Sequence, residues 1–212
     1  MFRPLLIFRH GEPAERMCGC CRGGEVDCEL SPSGVQQTEK NVAHLLERFR
    51  GQLQDVHVIT TGLRRTDVFG ELMKTHGAQH HVEPRLRDMR AGVWSGKSWD
   101  TIKMRWPEQY EAACSHAEDL AIPGGEATVQ FRARILDAFG DIVAREAGAL
   151  VVVGHKCVNE VILAAAEGRG SLRFLDACQP VGSFHELHQD GDAFRVSQKR
   201  AVVHSMEAAC DE

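Results

Sequence analysis

Leu150-Val151-Val152-Val153 is an unbroken aliphatic run. A strand with no polar residue alternating through it is buried on both faces, as in a parallel sheet covered by helices. Leu5–Phe8 and Val56-His57-Val58-Ile59 are two further short strand patterns. Between them lie helical spacings. Ser31-Pro32 starts one, with Val35, Val42, Leu45, Leu46 and Phe49 in step and Gly51 as its stop. Val68 to Met73 make a second, and Ser98 to Ala113 a third that is interrupted or kinked near Pro107. Phe131, Ile135, Ala138, Phe139, Ile142 and Val143 make a long amphipathic helix, and Val158 to Ala166 another. His80–Val82 reads as a short strand, and Ser183–His188 with Ala193–Ser197 as a hairpin around Asp190-Gly191. Residues 13–29 and 86–97 read as loops. This alternation predicts an α/β three-layer sandwich with a mostly parallel sheet, in one domain over residues 1–212.

Composition narrows the function. A net charge of -5 and a pI of about 6.1 argue against a broad basic surface for nucleic acid. No apolar run is long enough for a membrane span, and Leu5–Phe8 is too short for the apolar core of a signal peptide. We expect a cytoplasmic protein without nucleic-acid or membrane partners, and leave a homodimer open. Eight Cys in such a chain are not read as a disulfide framework.

Three strand patterns end in cations: Arg9-His10, then Arg64-Arg65, then His155. In a parallel sheet those ends share one edge, so residues far apart in sequence converge where ligands bind. Two Arg and two His beside glycine turns suit a compact dianion, because Arg offers paired hydrogen bonds to phosphate oxygens. Neutral imidazole is also a nucleophile toward phosphorus. The leaving alkoxide then needs a proton, so a carboxylic acid is expected nearby.

An ordered series of motifs resembles the histidine phosphatase superfamily, also called phosphoglycerate mutase-like. Arg9-His10-Gly11-Glu12 is similar to its R-H-G-E signature, and Leu30-Ser31-Pro32-Ser33-Gly34 to its L-T-x-x-G helix start. Thr61-Gly62-Leu63-Arg64-Arg65 resembles S-P-L-x-R, and Leu86-Arg87-Asp88 with Gly92-Val93-Trp94-Ser95-Gly96 resembles L-x-E-x-x-x-G-x-W-E-G. Gly125-Glu126-Ala127, the strand into Gly154-His155, and His204 complete the series. The resemblance implies His10 as phosphorylated nucleophile, with Arg9, Arg65 and His155 binding phosphate. It places Asp88 as proton donor where the family has Glu, with Glu12 and Glu126 as rival acids. It also implies no metal and no other cofactor.

Arg16 stands where the family's phosphate-binding Asn is usual, so it contacts either phosphate or the rest of the substrate. Thr61-Gly62 in place of Ser-Pro is expected to loosen the turn with little chemical consequence. The compact interval from Asp88 to His155 and the stretch Cys20-Cys21-Arg22-Gly23-Gly24 to Leu30 resemble the phosphatase branch, α-ribazole phosphatase-like members in particular.

The resulting expectation is hydrolysis of a small-molecule phosphomonoester through phospho-His10. Phosphoglycerate mutase-type transfer and a non-catalytic phospho-ligand module are the alternatives. Cys18, Cys20, Cys21 and Cys28 lack the usual paired spacing of a zinc site, and packed, reduced thiols are the expectation. His76, His80 and His81 are expected at the solvated surface, and Trp94, Trp99 and Trp106 in packing.

Overall fold

The apolar runs lie at the middle of one sheet. The computed structural model describes residues 4–14, 19–115, 118, 120–146, 148–170, 172, 174, 179–190 and 193–200. Its strands are β1 (Leu5–Arg9), β2 (Val56–Thr60), β3 (Gln79–Val82), β4 (Ala149–Gly154), β5 (Phe184–Asp190) and β6 (Ala193–Arg200). They run in the order β3-β2-β4-β1-β5-β6. β3, β2, β4 and β1 are parallel, while the hairpin β5–β6 adds antiparallel to β1.

Side chains of the central strands alternate between two cores. Leu5, Ile7, Ile59, Leu150 and Val152 face one side; Leu6, Phe8, Val56, Val58, Val151 and Val153 face the other. Helices α5 (Thr128–Arg145) and α6 (Lys156–Ala166) cover the first side through Phe131, Ile135, Ile142, Val158 and Val161. Helices α1 (Pro32–Arg48) and α2 (Arg64–Thr75) cover the second through Val42, Leu45, Phe69 and Met73. Each fully buried aliphatic side chain contributes roughly 1.5–3 kcal/mol, so strands covered on both faces anchor the fold. This is the expected three-layer α/β arrangement.

Two local outcomes differ from expectation, the start of α2 and the end of α1. Helix α2 begins at Arg64 rather than Val68, and Leu63 before it makes no side-chain cap. The helix around Pro107 is interrupted, as expected, into α3 (Trp99–Arg105) and α4 (Pro107–Ser115), because Trp106 between them leaves helical geometry. Gly51 lies beyond the end of α1, which closes on Phe49. Among the described residues, no helix is long and apolar enough to cross a membrane.

Candidate active site

β1, β4 and β2 are neighbours, so Arg9-His10, His155 and the turn into α2 meet at their shared carboxyl edge. The backbone around His10 is held on both sides. His10 N–H donates to Gly154 O at 3.2 Å, and Gly182 N–H donates to His10 O at 3.0 Å.

His10 is 5% exposed, and its Nδ1 lies 2.7 Å from the carbonyl of Gly11. A carbonyl only accepts, so Nδ1 carries the proton and Nε2 keeps its lone pair. Burial, then the charges of Arg65 and Arg9, hold the His10 pKa well below its usual value. The ring is therefore a neutral imidazole with a fixed tautomer, of the kind that can act as a nucleophile.

His155 is fully buried, and its ring centroid lies 5.3 Å from that of His10. A chain of hydroxyls orients it. Thr66 Oγ1 donates to Leu63 O at 2.8 Å, so it accepts from Thr61 Oγ1 at 3.0 Å. Thr61 Oγ1 then accepts from His155 Nε2 at 3.0 Å. His155 Nδ1 is left buried without a partner. The Thr61 hydroxyl thus holds the His155 ring, a bond that the family's Ser can also make, so the replacement keeps this contact. Gly62 supplies the turn with φ +78° and donates its N–H to Asp67 Oδ1 at 3.0 Å.

Arg65 lies in the first turn of α2 and is 1% exposed. Its Nη1 donates to Val26 O at 2.7 Å and its Nη2 to Gly23 O at 3.1 Å. A cation at a helix amino end opposes the helix dipole, and a buried one needs compensation. Those carbonyls and the Asp88 charge supply it. Arg9 Nη1 donates to Gln179 O at 2.5 Å.

Asp88 stands half-buried against the same cations. Burial raises its pKa; Arg65, the Met89 N–H, Arg22 and Arg9 oppose this, and burial prevails. A carboxyl group with a raised pKa keeps its proton to higher pH, which suits a proton donor. Of the rival acids, Glu126 is engaged by Arg134 through two hydrogen bonds at 2.9 and 2.7 Å. Glu12 accepts from Ser31 Oγ at 2.8 Å.

Arg22 adds a cation that the sequence reading passed over. Its charge lowers the pKa of His10, His155 and Arg65 and also acts on Asp88. The signal was an Arg next to Gly23-Gly24, but loop arginines are usually solvated. Here the loop is built into the site. Gly24 N–H donates to Met89 O at 2.9 Å, and Glu25 accepts from the N–H groups of Ala91 and Gly92 at 3.0 and 3.1 Å. A Cβ on Gly24 would lie 2.4 Å from Asp88 O, so only glycine allows the approach.

The Cys loop supplies packing. Cys20, Cys21 and Cys28 are free thiols, and burial with nearby Asp88 pushes Cys21 up to about 12. Such a thiol stays protonated and packs as a small apolar group. Trp94 is buried edge-on to Trp99 at 6.5 Å, as expected of packing residues. His76 is exposed, but His80 bonds Thr60 Oγ1 at 2.8 Å and lies 3.0 Å from Glu71 Oε1, and His81 is partly buried. Arg16, Cys18 and His204 lie outside the described residues.

Fold and edge together define an α/β protein with a histidine-centred oxyanion site. Residues 5–201 match the histidine phosphatase superfamily (branch 1), and the chain belongs to that family. It is 29% identical over 152 residues to a metal-independent phosphoserine phosphatase of Arabidopsis thaliana, covering 70% of this chain and 62% of that protein. The chain thus spans less than two thirds of that relative. Its fold is similar to mycobacterial hydrolase 1, with a TM-score of 0.81 at 24% identity, covering 95% of this chain and 99% of the other. It is likewise similar to the α-ribazole phosphatase of Shigella flexneri, with a TM-score of 0.77 at 19% identity over 96% and 99% of the two chains.

Proposed function

We propose that the protein is a phosphomonoesterase acting on a small phosphorylated metabolite through a phospho-His10 intermediate. The observation that carries this reading is the fixed tautomer of His10, with a neutral Nε2 set among Arg9, Arg22 and Arg65. In the first step Nε2 attacks phosphorus and a P–N bond forms. The P–O bond to the alcohol breaks, and Asp88 gives its proton to the departing oxygen. Gly11 O accepts from Nδ1–H as the ring gains positive charge. In the second step water attacks phosphorus, the P–N bond breaks, and the Asp88 carboxylate takes the water's proton. Inorganic phosphate leaves and the starting state returns.

The arginines balance charge on the transferring oxygens, the term on which phosphoryl transfer mainly depends. His155 reinforces them after taking up a proton. Its Nε2–H is committed to Thr61, so Nδ1 must be protonated before it can donate to a phosphoryl oxygen. No step in this scheme calls on a metal. The whole sequence 1–212 acts as one unit in this reading, and the free thiols fit a reducing, cytoplasmic setting. Arg16 is assigned to the substrate end of the site.

The test is a panel of phosphomonoesters offered to wild type and His10→Ala, with acid and alkaline quenches of labelled enzyme. We expect turnover by wild type, a loss of at least ~10³-fold in the variant, and an acid-labile adduct on wild type alone. Equal turnover by both proteins would reject the mechanism. Net isomerisation of a phosphoglycerate without free phosphate would make the protein a mutase instead.

A further inference from the structure

We propose that His57, His81 and Glu146 form a site for one divalent transition-metal ion of the zinc type, separate from the phosphoryl site. His57 lies on β2, His81 on β3, and Glu146 directly after α5. β2 and β3 pair with Ile59 opposite His81 and His57 opposite Gln79, so both imidazoles rise on the α5 side of the sheet. His57 and Glu146 sit toward the amino ends of β2 and β4, whereas His10, Arg65 and His155 stand at the carboxyl ends.

The ligand atoms of the three residues lie within 4.8 Å of one another. The two rings stack with centroids 5.7 Å apart at 15°. Nε2 of His81 is buried and has no hydrogen-bond partner. Nδ1 of His57 lies 2.7 Å from Glu146 Oε2, yet it is out of line for a hydrogen bond. Two buried ring nitrogens without hydrogen bonds, beside a carboxylate whose Oε1 accepts from Arg145 Nε at 2.8 Å, call for an explanation.

Two imidazoles and a carboxylate are a recurring zinc ligand set, with water in the fourth position. Imidazole nitrogen favours zinc, copper or nickel over magnesium or calcium. Metal–ligand bonds near 2.0–2.2 Å require ligand atoms about 3.3–3.5 Å apart in a tetrahedron. The His57–Glu146 pair at 2.7 Å must open and wider separations, up to 4.8 Å, must close; His57 and His81 are only partly buried, so their side chains can make both adjustments. An ion there would tie edge strand β3 and strand β2 to the end of α5.

The test uses full-length protein stripped with chelator and titrated with Co(II) or Zn(II). We expect one equivalent to bind and the Co(II) complex to show ligand-field bands without thiolate charge transfer. A hundredfold excess of Zn(II) over its Kd should raise Tm by about 5–10 °C. His81→Gln and His57→Gln should each weaken binding more than about tenfold and remove the Tm rise. If His57→Gln does not fold, His81→Gln decides. Absence of saturable binding, unchanged affinity in His81→Gln, or a thiolate signature would each overturn the proposal.

Discussion

Asp88 and Thr61 set the finer chemistry of single residues. In the proposed mechanism Asp88 serves the first step only while protonated, and burial raises its pKa. The rate with poorly departing alcohols should therefore fall as pH rises through that raised pKa. Asp88→Asn should remove this alkaline limb and cost about 10²–10⁴-fold with alkyl phosphates, but far less with p-nitrophenyl phosphate, whose oxygen leaves without a proton. Steady-state rates on the two ester types check this directly. Thr61→Val deprives His155 Nε2 of its acceptor. A drop of about 10–100-fold in kcat/KM is expected, with recovery in Thr61→Ser, since a stranded buried donor costs roughly 1–3 kcal/mol. Arg22→Gln should lower kcat/KM by a similar factor for every phosphomonoester, because its charge reaches the phosphate-facing groups and not one particular alcohol.

At the level of elements, the approach of α1 to the loop after β1 leaves no spare space. A Cβ on Gly34 would lie 2.1 Å from Glu12 O, and one on Gly11 would lie 2.3 Å from Gly34 O. Both obstacles are backbone, so Gly34→Ala must separate the helix start from the nucleophile's loop. We expect a loss of about 2–4 kcal/mol, measured by urea denaturation, together with reduced turnover. Much of this architecture is readable from residue order. β1 and β4 announce themselves as apolar runs, and Ser31-Pro32 marks its helix by capping Gly34 N–H at 3.0 Å. The start of α2 is hidden because Leu63 offers no cap and Arg64-Arg65 resembles a solvated turn. Arg22 and the His57–His81–Glu146 group are hidden for another reason: their meaning comes from contacts across distant segments, which no local period encodes.

For the whole molecule, pH acts through the buried histidines. Folding holds the pKa values of His10 and His155 well below 6.5. Above about 6.5 neither state binds these protons, and the fold loses nothing. Below it the unfolded chain takes them up first, so stability should decline on acidification until the folded pKa values are reached. At pH 5.5 the pair should cost on the order of 2 kcal/mol relative to pH 7.5. Asp88 acts in the opposite sense at lower pH, because its acid form is the one favoured by folding. Inorganic phosphate should restore part of the loss, since a bound dianion favours protonated His155. Urea midpoints from pH 5 to 8, with and without phosphate, check both effects.

The place of β1 in the sheet bears on how the protein is made. The strand that leads into His10 is hydrogen-bonded between β4 and β5, through pairs such as Leu5 with Leu150 and Leu5 with Leu187. On a translating ribosome, β1 must therefore wait for partners that are made well over a hundred residues after it. Until then its four apolar residues, Leu5 to Phe8, lack both neighbouring strands. The nascent chain carries an open edge of the kind that chaperones cover. In the proposed mechanism it also carries an inactive nucleophile, so catalytic power should arrive only once β4 and β5 have been made, and not build up with length.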